Sequence, residues 1–298
     1  MEMLEKLSRI CETKQNVNLK NLCSIHIGGI GQFVCYPSCE KEVKKLFAFI
    51  NKHNINYYLI GNGTNIIFED GGFLGVLICL KKMFTIKIKK NIVFAEAGLN
   101  MFALNYICKN EALSGLEWSY GIPGSVGGAV CMNAGAYSFE MKDFVKNVWV
   151  LRRGRIKKLT NLDMCFGYRE SVVKGSKDII LRVSLKLNFG RAVEIEKKQK
   201  QIFEYRKSCQ PYNSYNAGSI FKKTYNNSAG KTIDKLGLKN VKIGDIQISP
   251  IHANFFVNLG GGKSEDMHKL INLAKFMAKE KANVNLEEEV IFVGERKE

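Results

Sequence analysis

An α+β chain with more than one domain is the class this sequence predicts, and three observations predict it. Residues 40–54, EKEVKKLFAFINKHN, set Val43, Leu46, Phe47 and Ile50 on one helical face, and YYLIGNGTNIIF after them reads as strand, glycine turn, strand. Residues 178–189, DIILRVSLKLNF, alternate cleanly. Ile179, Leu181, Val183, Leu185 and Leu187 fall on one face and Arg182, Ser184 and Lys186 on the other, the pattern of a half-buried strand. After Gly190 the texture changes to RAVEIEKKQKQIFEYRKS, a charged helix or linker, so a domain boundary is expected near 190–205. The length agrees, because single cores stop growing at about 250–300 residues and the chain has 298.

The other elements follow in order. IVFAEA predicts a strand, the stretch from about Asn100 to Leu113 a helix, and Arg153–Gly154 the turn of a hairpin. Past the boundary come a short helix around AGKTIDKLGL and a strand at ANFFVN. A helix over SEDMHKLINLAKFMAKEKA then carries Met267, Leu270, Ile271 and Ala274 at helical spacing, and EEEVIFVG makes a last strand. That last strand would place Glu287 and Glu289 on one face.

Composition excludes several classes. With 46% hydrophobic, 10% aromatic and 24% charged residues, and no repeat or low-complexity tract, the chain is an ordinary globular one. The longest apolar run, GFLGVLICL, is far shorter than the ~20 residues a bilayer needs, and the N-terminal stretch lacks the apolar segment of a signal peptide. A cytoplasmic protein without a membrane partner is expected. Nine cysteines form no C-x-x-C pair, which fits free thiols in a reducing compartment and no metal site, Cys35 and Cys39 being the only close pair. The net charge of +17 is carried by scattered runs such as KKMFTIKIKK, RRGRIKK and EKKQKQ. These read as solvated faces that attract an anionic small substrate, with no nucleic acid as partner.

Two glycine turns carry the chemistry. GNGTN at 61–65 and GIPGSVGGAVCMNAGAY at 121–137 can each present a row of unshielded backbone N–H groups, which bind phosphate oxygens; a lone G-x-G serves equally as a tight turn. Neither is a G-x-G-x-x-G or G-x-x-x-x-G-K-[ST] motif, so a Rossmann or P-loop nucleotide site is disfavoured. A different pyrophosphate-binding fold is needed.

From about Asn18 to Gly294, GNGTN, SGLEWSYGIPGSVGGAVCMNAGAY, GYRES, QPYNSYNAGSIFKK, IQISPIHANFFVN and LEEEVIFVG occur in that order. In this the chain resembles the UDP-N-acetylenolpyruvoylglucosamine reductase (MurB) family of bacterial peptidoglycan synthesis, and within it the second structural type, which lacks an inserted tyrosine-bearing loop. The resemblance implies a two-lobed FAD-binding domain of the vanillyl-alcohol-oxidase-like class over residues 1–190, its lobes dividing near 80–90. A smaller C-terminal α+β substrate domain would span 191–298. It implies non-covalent FAD, NADPH as hydride donor, UDP-N-acetylglucosamine enolpyruvate as substrate, UDP-N-acetylmuramate as product, and a monomer.

The same resemblance assigns residues. Gly61, Asn62, Gly63, Thr64, Asn65, Gly121, Ile122, Pro123, Gly124, Ser125, Gly127, Gly128, Asn133, Ala134 and Gly135 would line the cofactor. Tyr168, Lys222, Lys223 and His252 would contact substrate. Arg169 in GYRES would stabilise the charge that gathers on the enolpyruvyl carboxylate, a task suited to a permanently charged, bidentate guanidinium. Ser219 would donate the proton to the carbanion and Glu289 would polarise the intermediate or relay a proton, with Glu287 and Glu288 as rivals; without the resemblance Ser219 reads as a helix cap or turn residue. Three departures from the family pattern stand out: Lys223-Thr224 where asparagine-proline is usual, Ile291 where arginine is usual, and SIHIGGIGQ near the N-terminus. Two other readings stay open, another oxidoreductase on the same FAD fold and a basic nucleic-acid-binding protein.

Overall fold

The computed structural model describes residues 2–223 and 228–297; Thr224 lies outside them. The chain forms two compact units, one from Met1–Lys14, Val34–Asn62 and Val76–Tyr205, the other from Gln15–Phe33, Gly63–Gly75 and Arg206–Glu298.

The first unit is built on a five-stranded antiparallel sheet in the order Arg155–Thr160, Val145–Arg152, Ile179–Lys186, Ile92–Glu96, Ile86–Lys89. The expected hairpin pairs Arg152 with Arg155, and Arg153 (φ 49°) and Gly154 (φ 76°) have the two left-handed residues of a type I′ turn. The helix Glu40–Lys52 buries Val43, Leu46, Phe47 and Ile50, as their spacing requires. A second helix, Met101–Asn110, starts where Asn100 Oδ1 accepts the Phe102 N–H at 2.7 Å, and ends three residues before Leu113. The central strand buries the expected face, Ile179, Leu181, Val183, Leu185 and Leu187, and adds two buried positions on the other. The short helix Val126–Cys131 packs against Ile179–Lys186, and Ile180 and Ser184 are buried while Arg182 is half-buried and Lys186 exposed. Ser184 Oγ accepts the Asn147 N–H at 3.1 Å, which satisfies that buried hydroxyl. The charged segment after Gly190 is one helix, Ala192–Cys209.

The second unit carries a four-stranded antiparallel sheet in the order Tyr215–Ser219, Phe255–Asn258, Ile246–Ile248, Lys242–Ile243. The helix Ser264–Ala282 packs on it through its short strands and on the helix Ala229–Lys235, burying Met267, Leu270, Ile271, Ala274 and Ala278. The last strand, Ile291–Val293, pairs in parallel with Ile66–Phe68. It begins after the glutamates, and only Glu288 bridges to Phe221, so a shared strand face does not place Glu287 with Glu289.

Among the described residues no helix is long and apolar enough to cross a membrane, and no three His, Cys, Asp or Glu side chains are grouped to hold a metal ion. The nine cysteines are free thiols.

Candidate active site

In the first unit the loop at 121–128 is shaped by the protein's own chain. Ser125 caps the helix Val126–Cys131, its Oγ accepting the Gly128 N–H at 3.2 Å. Val126 N–H donates to Leu99 O and Gly127 N–H to Ala97 O, both at 2.8 Å. Three amides of the row are therefore engaged internally. Ser125 and Asn100 form an antiparallel bridge closed by Met101 N–H to Gly124 O and Val126 N–H to Leu99 O, a pairing in which the N–H of Ser125 itself points away from its partner strand. Among the described residues the amides of Gly124 and Ser125 carry no protein hydrogen bond, which suits them to an anionic oxygen.

The glycines answer to neighbours as well as to a ligand. A Cβ at Gly127 would stand 2.7 Å from Ala97 Cβ, and one at Gly61 would overlap Ser125 Oγ. Gly124, at φ 141°, has a backbone that side chains resist.

Ile122 closes a turn to Ser119 O at 3.0 Å, and Ala134 binds Ala129 O at 2.8 Å. Asn133 is fully buried. Its Nδ2 donates to Glu140 Oε2 and Gly167 O and its Oδ1 accepts the Lys142 N–H, which ties the 133–142 segment to the GYRES turn. Gly135 O accepts a bond from Arg169 Nη2 at 3.2 Å.

Arg169 sits in a four-residue turn in which Gly167 and Glu170 exchange backbone bonds at 3.0 and 3.2 Å. Its φ of 57° is left-handed, a conformation that costs a non-glycine residue about 1 kcal/mol or more and that surrounding structure must impose. Its guanidinium lies 4.9 Å from the centre of the Tyr168 ring. Backbone and side chain are both fixed.

In the second unit Gly63 (φ 67°) presses on Leu22, where a Cβ would overlap the carbonyl oxygen, and Thr64 follows it. Asn65 then joins the turn to the C-terminal segment: its Nδ2 donates to Glu289 O at 3.0 Å and its carbonyl accepts the Ile291 N–H at 3.1 Å. Ser219 ends the strand Tyr215–Ser219 beyond a register shift, after Gly218 at φ 77°. Glu289 N–H donates to Ile220 O at 2.8 Å, so the backbones of Ser219 and Glu289 meet in this unit, while Arg169 belongs to the other. Among the described residues the Ser219 hydroxyl makes no hydrogen bond within the protein and is partly exposed.

Of the rival glutamates, Glu287 is ion-paired with Lys222 and Glu288 with Lys275. Lys223 is exposed. His252 accepts the Asn254 N–H at Nδ1 (3.2 Å), and burial pushes its pKa down, so the ring is neutral with its proton on Nε2.

Sequence reasoning missed Asn254 and Asn216. Asn254 bonds both backbone groups of Phe221 through its side chain and the Ile220 N–H through its carbonyl, holding the strand that carries Ser219. Asn216 Oδ1 accepts the Gly218 N–H at 2.9 Å and shapes the bend before Ser219. The asparagine two residues before a glycine was the available signal.

Comparison with known proteins gives consistent matches. Residues 210–293 match the family model described as UDP-N-acetylenolpyruvoylglucosamine reductase, C-terminal domain, and residues 31–160 match that of an FAD binding domain. The UDP-N-acetylenolpyruvoylglucosamine reductase of Lactobacillus helveticus (strain DPC 4571) is 36% identical over 298 residues, covering 100% of both chains. That of Caldicellulosiruptor bescii is 38% identical over 280 residues, 93% of this chain and 89% of that one. The crystal structure of UDP-N-acetylenolpyruvylglucosamine reductase from Thermus caldophilus superposes with a TM-score of 0.81 at 32% identity, covering 94% of this chain and 98% of that one.

Proposed function

Because the chain belongs to the UDP-N-acetylenolpyruvoylglucosamine reductase family, we infer that it is the FAD-dependent oxidoreductase that reduces UDP-N-acetylglucosamine enolpyruvate to UDP-N-acetylmuramate with NADPH, in peptidoglycan precursor synthesis. One observation carries this reading: the likeness runs the whole length of the chain, through the flavin-binding and the C-terminal parts alike. Residues 1–190 act as the FAD-binding domain and 191–298 as the substrate domain of a cytoplasmic monomer.

FAD supplies hydride transfer when bound. Holding its pyrophosphate falls to the free amides of Gly124 and Ser125, with Gly61 and Asn62 of the GNGTN turn in the same unit. The rest of the chemistry is the chain's own. Reduction of an enolpyruvyl ether gathers negative charge on one carbon and its carboxylate, and Arg169 provides a fixed cation for that carboxylate. Ser219 provides the proton, its hydroxyl being partly exposed and unengaged by the protein. Glu289, tied by its own backbone to Ile220, stands beside that strand to relay or replace the proton. His252 offers a neutral Nε2–H donor, Lys222 and Lys223 offer cations for the diphosphate, and Tyr168 packs against Arg169.

Rapid-mixing absorbance separates the two half-reactions. Ser219→Ala should leave bleaching of the flavin by NADPH unchanged and slow enolpyruvate-driven recovery of the absorbance by about 10²–10⁴-fold, the usual loss on removing a general acid. Ser219→Cys should recover part of it. Recovery at the parental rate in Ser219→Ala would remove Ser219 from the proposed role.

A further inference from the structure

The basic run 152–158, read from sequence as a solvated face, borders a groove of about 1080 Å³. Arg152, Arg153, Arg155 and Lys157 line it from the hairpin and Lys177 from the turn before the central strand. Phe47, Ala48 and Asn51 of the helix Glu40–Lys52 line it as well. None of the residues assigned above to cofactor, substrate or catalysis is among them.

Five cations share this groove with one carboxylate. Asp178 Oδ2 accepts from Arg152 Nε at 2.8 Å and Nη2 at 2.7 Å, and the pairing raises the pKa of Arg152. Arg153, Arg155, Lys157 and Lys177 have no carboxylate partner among the described residues. The fold holds them together regardless. The type I′ turn fixes Arg153, and strand alternation puts Arg155 and Lys157 on one face of the hairpin. Tyr57 Oη donates to Lys177 O at 3.3 Å and secures that turn. Like charges gathered in a concave site raise the local concentration of an anion that can lie among them. The wall from the helix is of another kind: Phe47 is apolar and 6% exposed, Ala48 is small, and the Asn51 amide can both donate and accept. An apolar wall with one amide, facing several unpaired cations in a cavity at the large end of the ligand-site range of about 300–1,000 Å³, matches a base joined to more than one phosphate.

We propose that the groove between the helix Glu40–Lys52 and the hairpin Arg152–Arg155 is a second anion site that binds a nucleoside polyphosphate. Its occupancy is independent of the reductase reading above.

Calorimetric titration of the FAD-loaded protein at fixed ionic strength tests it, with ATP and inorganic tripolyphosphate as probes. ATP should bind saturably. The double variant Arg153→Glu/Arg155→Glu, which alters one exposed turn residue and the exposed first residue of the following strand, should weaken it by about tenfold or more with flavin content and basal turnover retained. Lys177→Gln, which leaves the hairpin untouched, should weaken it a few-fold. Tripolyphosphate should bind more weakly than ATP. Absence of saturable ATP binding, or ATP affinity unchanged in the charge-reversed variant, would overturn the proposal. Equal affinity for tripolyphosphate would overturn its nucleoside part, and preferential binding of a single-stranded oligonucleotide to the same residues would replace the site with a nucleic-acid face.

Discussion

Replacing Gly127 with alanine tests why that position must be small. The new Cβ would stand 2.7 Å from Ala97 Cβ and 3.0 Å from Ala97 O, roughly 1 Å inside the ordinary carbon–carbon contact of about 3.5–4.0 Å. Ala97 cannot simply retreat, because its carbonyl accepts the Gly127 N–H and its own N–H donates to Leu181 O at 2.9 Å. Either the overlap is absorbed as overpacking, at about 1–3 kcal/mol, or the helix Val126–Cys131 moves off and weakens its two bonds to Ala97 and Leu99, each worth about 1 kcal/mol. Both routes lead to about 2 kcal/mol. At about 2–4 °C per kcal/mol this lowers Tm by about 4–8 °C, and the shift carries the Gly124 and Ser125 amides with it, so flavin should be lost on purification. Ala97→Gly removes the atom that is struck, so the Ala97→Gly/Gly127→Ala double variant should regain flavin and part of the Tm. Flavin absorbance per protein and thermal melts read both. If the double variant binds flavin no better than Gly127→Ala, the Cβ is colliding with the cofactor rather than with Ala97, and the packing argument fails.

Two further expectations concern stability. The folded-state pKa of His252 is depressed below 6.5 by burial, so its contribution is complete above that value and is lost as pH falls below it. Urea unfolding between pH 7 and 5 should show a loss that His252→Asn, whose amide oxygen replaces Nδ1 as acceptor, reduces; an identical pH slope in that variant would refute it. Glu69 is 4% exposed, with Oε1 bonded to His268 Nε2 at 2.9 Å and Oε2 without a hydrogen-bond partner among the described residues. His268→Ala should therefore destabilise by about 1–3 kcal/mol, and adding Glu69→Gln should recover some of it, since an amide is cheaper to bury than a carboxylate; a neutral His268→Ala would refute this.

Local pattern was enough for elements whose burial is decided locally. Four apolar residues at helical spacing marked the helix Glu40–Lys52, and turn chemistry marked the hairpin at Arg153–Gly154. Alternation identified the strand Ile179–Lys186 but could not show that Val126–Cys131 lies against it and that Ser184 finds a backbone donor. The final strand was drawn too early because its start is set by pairing with Ile66–Phe68, far away in sequence. At the candidate site the motifs named the turns, yet a glycine records only that space is short. At Gly61 and Gly127 the protein's own Ser125 and Ala97 claim that space. Asn254 was invisible for a similar reason, since its partners lie 33 positions away.

The bond from Asn65 to Glu289 joins residues 224 positions apart, and the Ile66–Phe68 strand has its parallel partner at Ile291–Val293. On a ribosome adding about 5–20 residues per second, the second of these segments emerges roughly 11–45 s after the first. For that interval Asn65 lacks its C-terminal partners, and Phe68, which the finished fold seals completely, is an apolar side chain open to a chaperone. A flavin offered during synthesis would meet an unfinished cradle, so loading belongs after release of the chain.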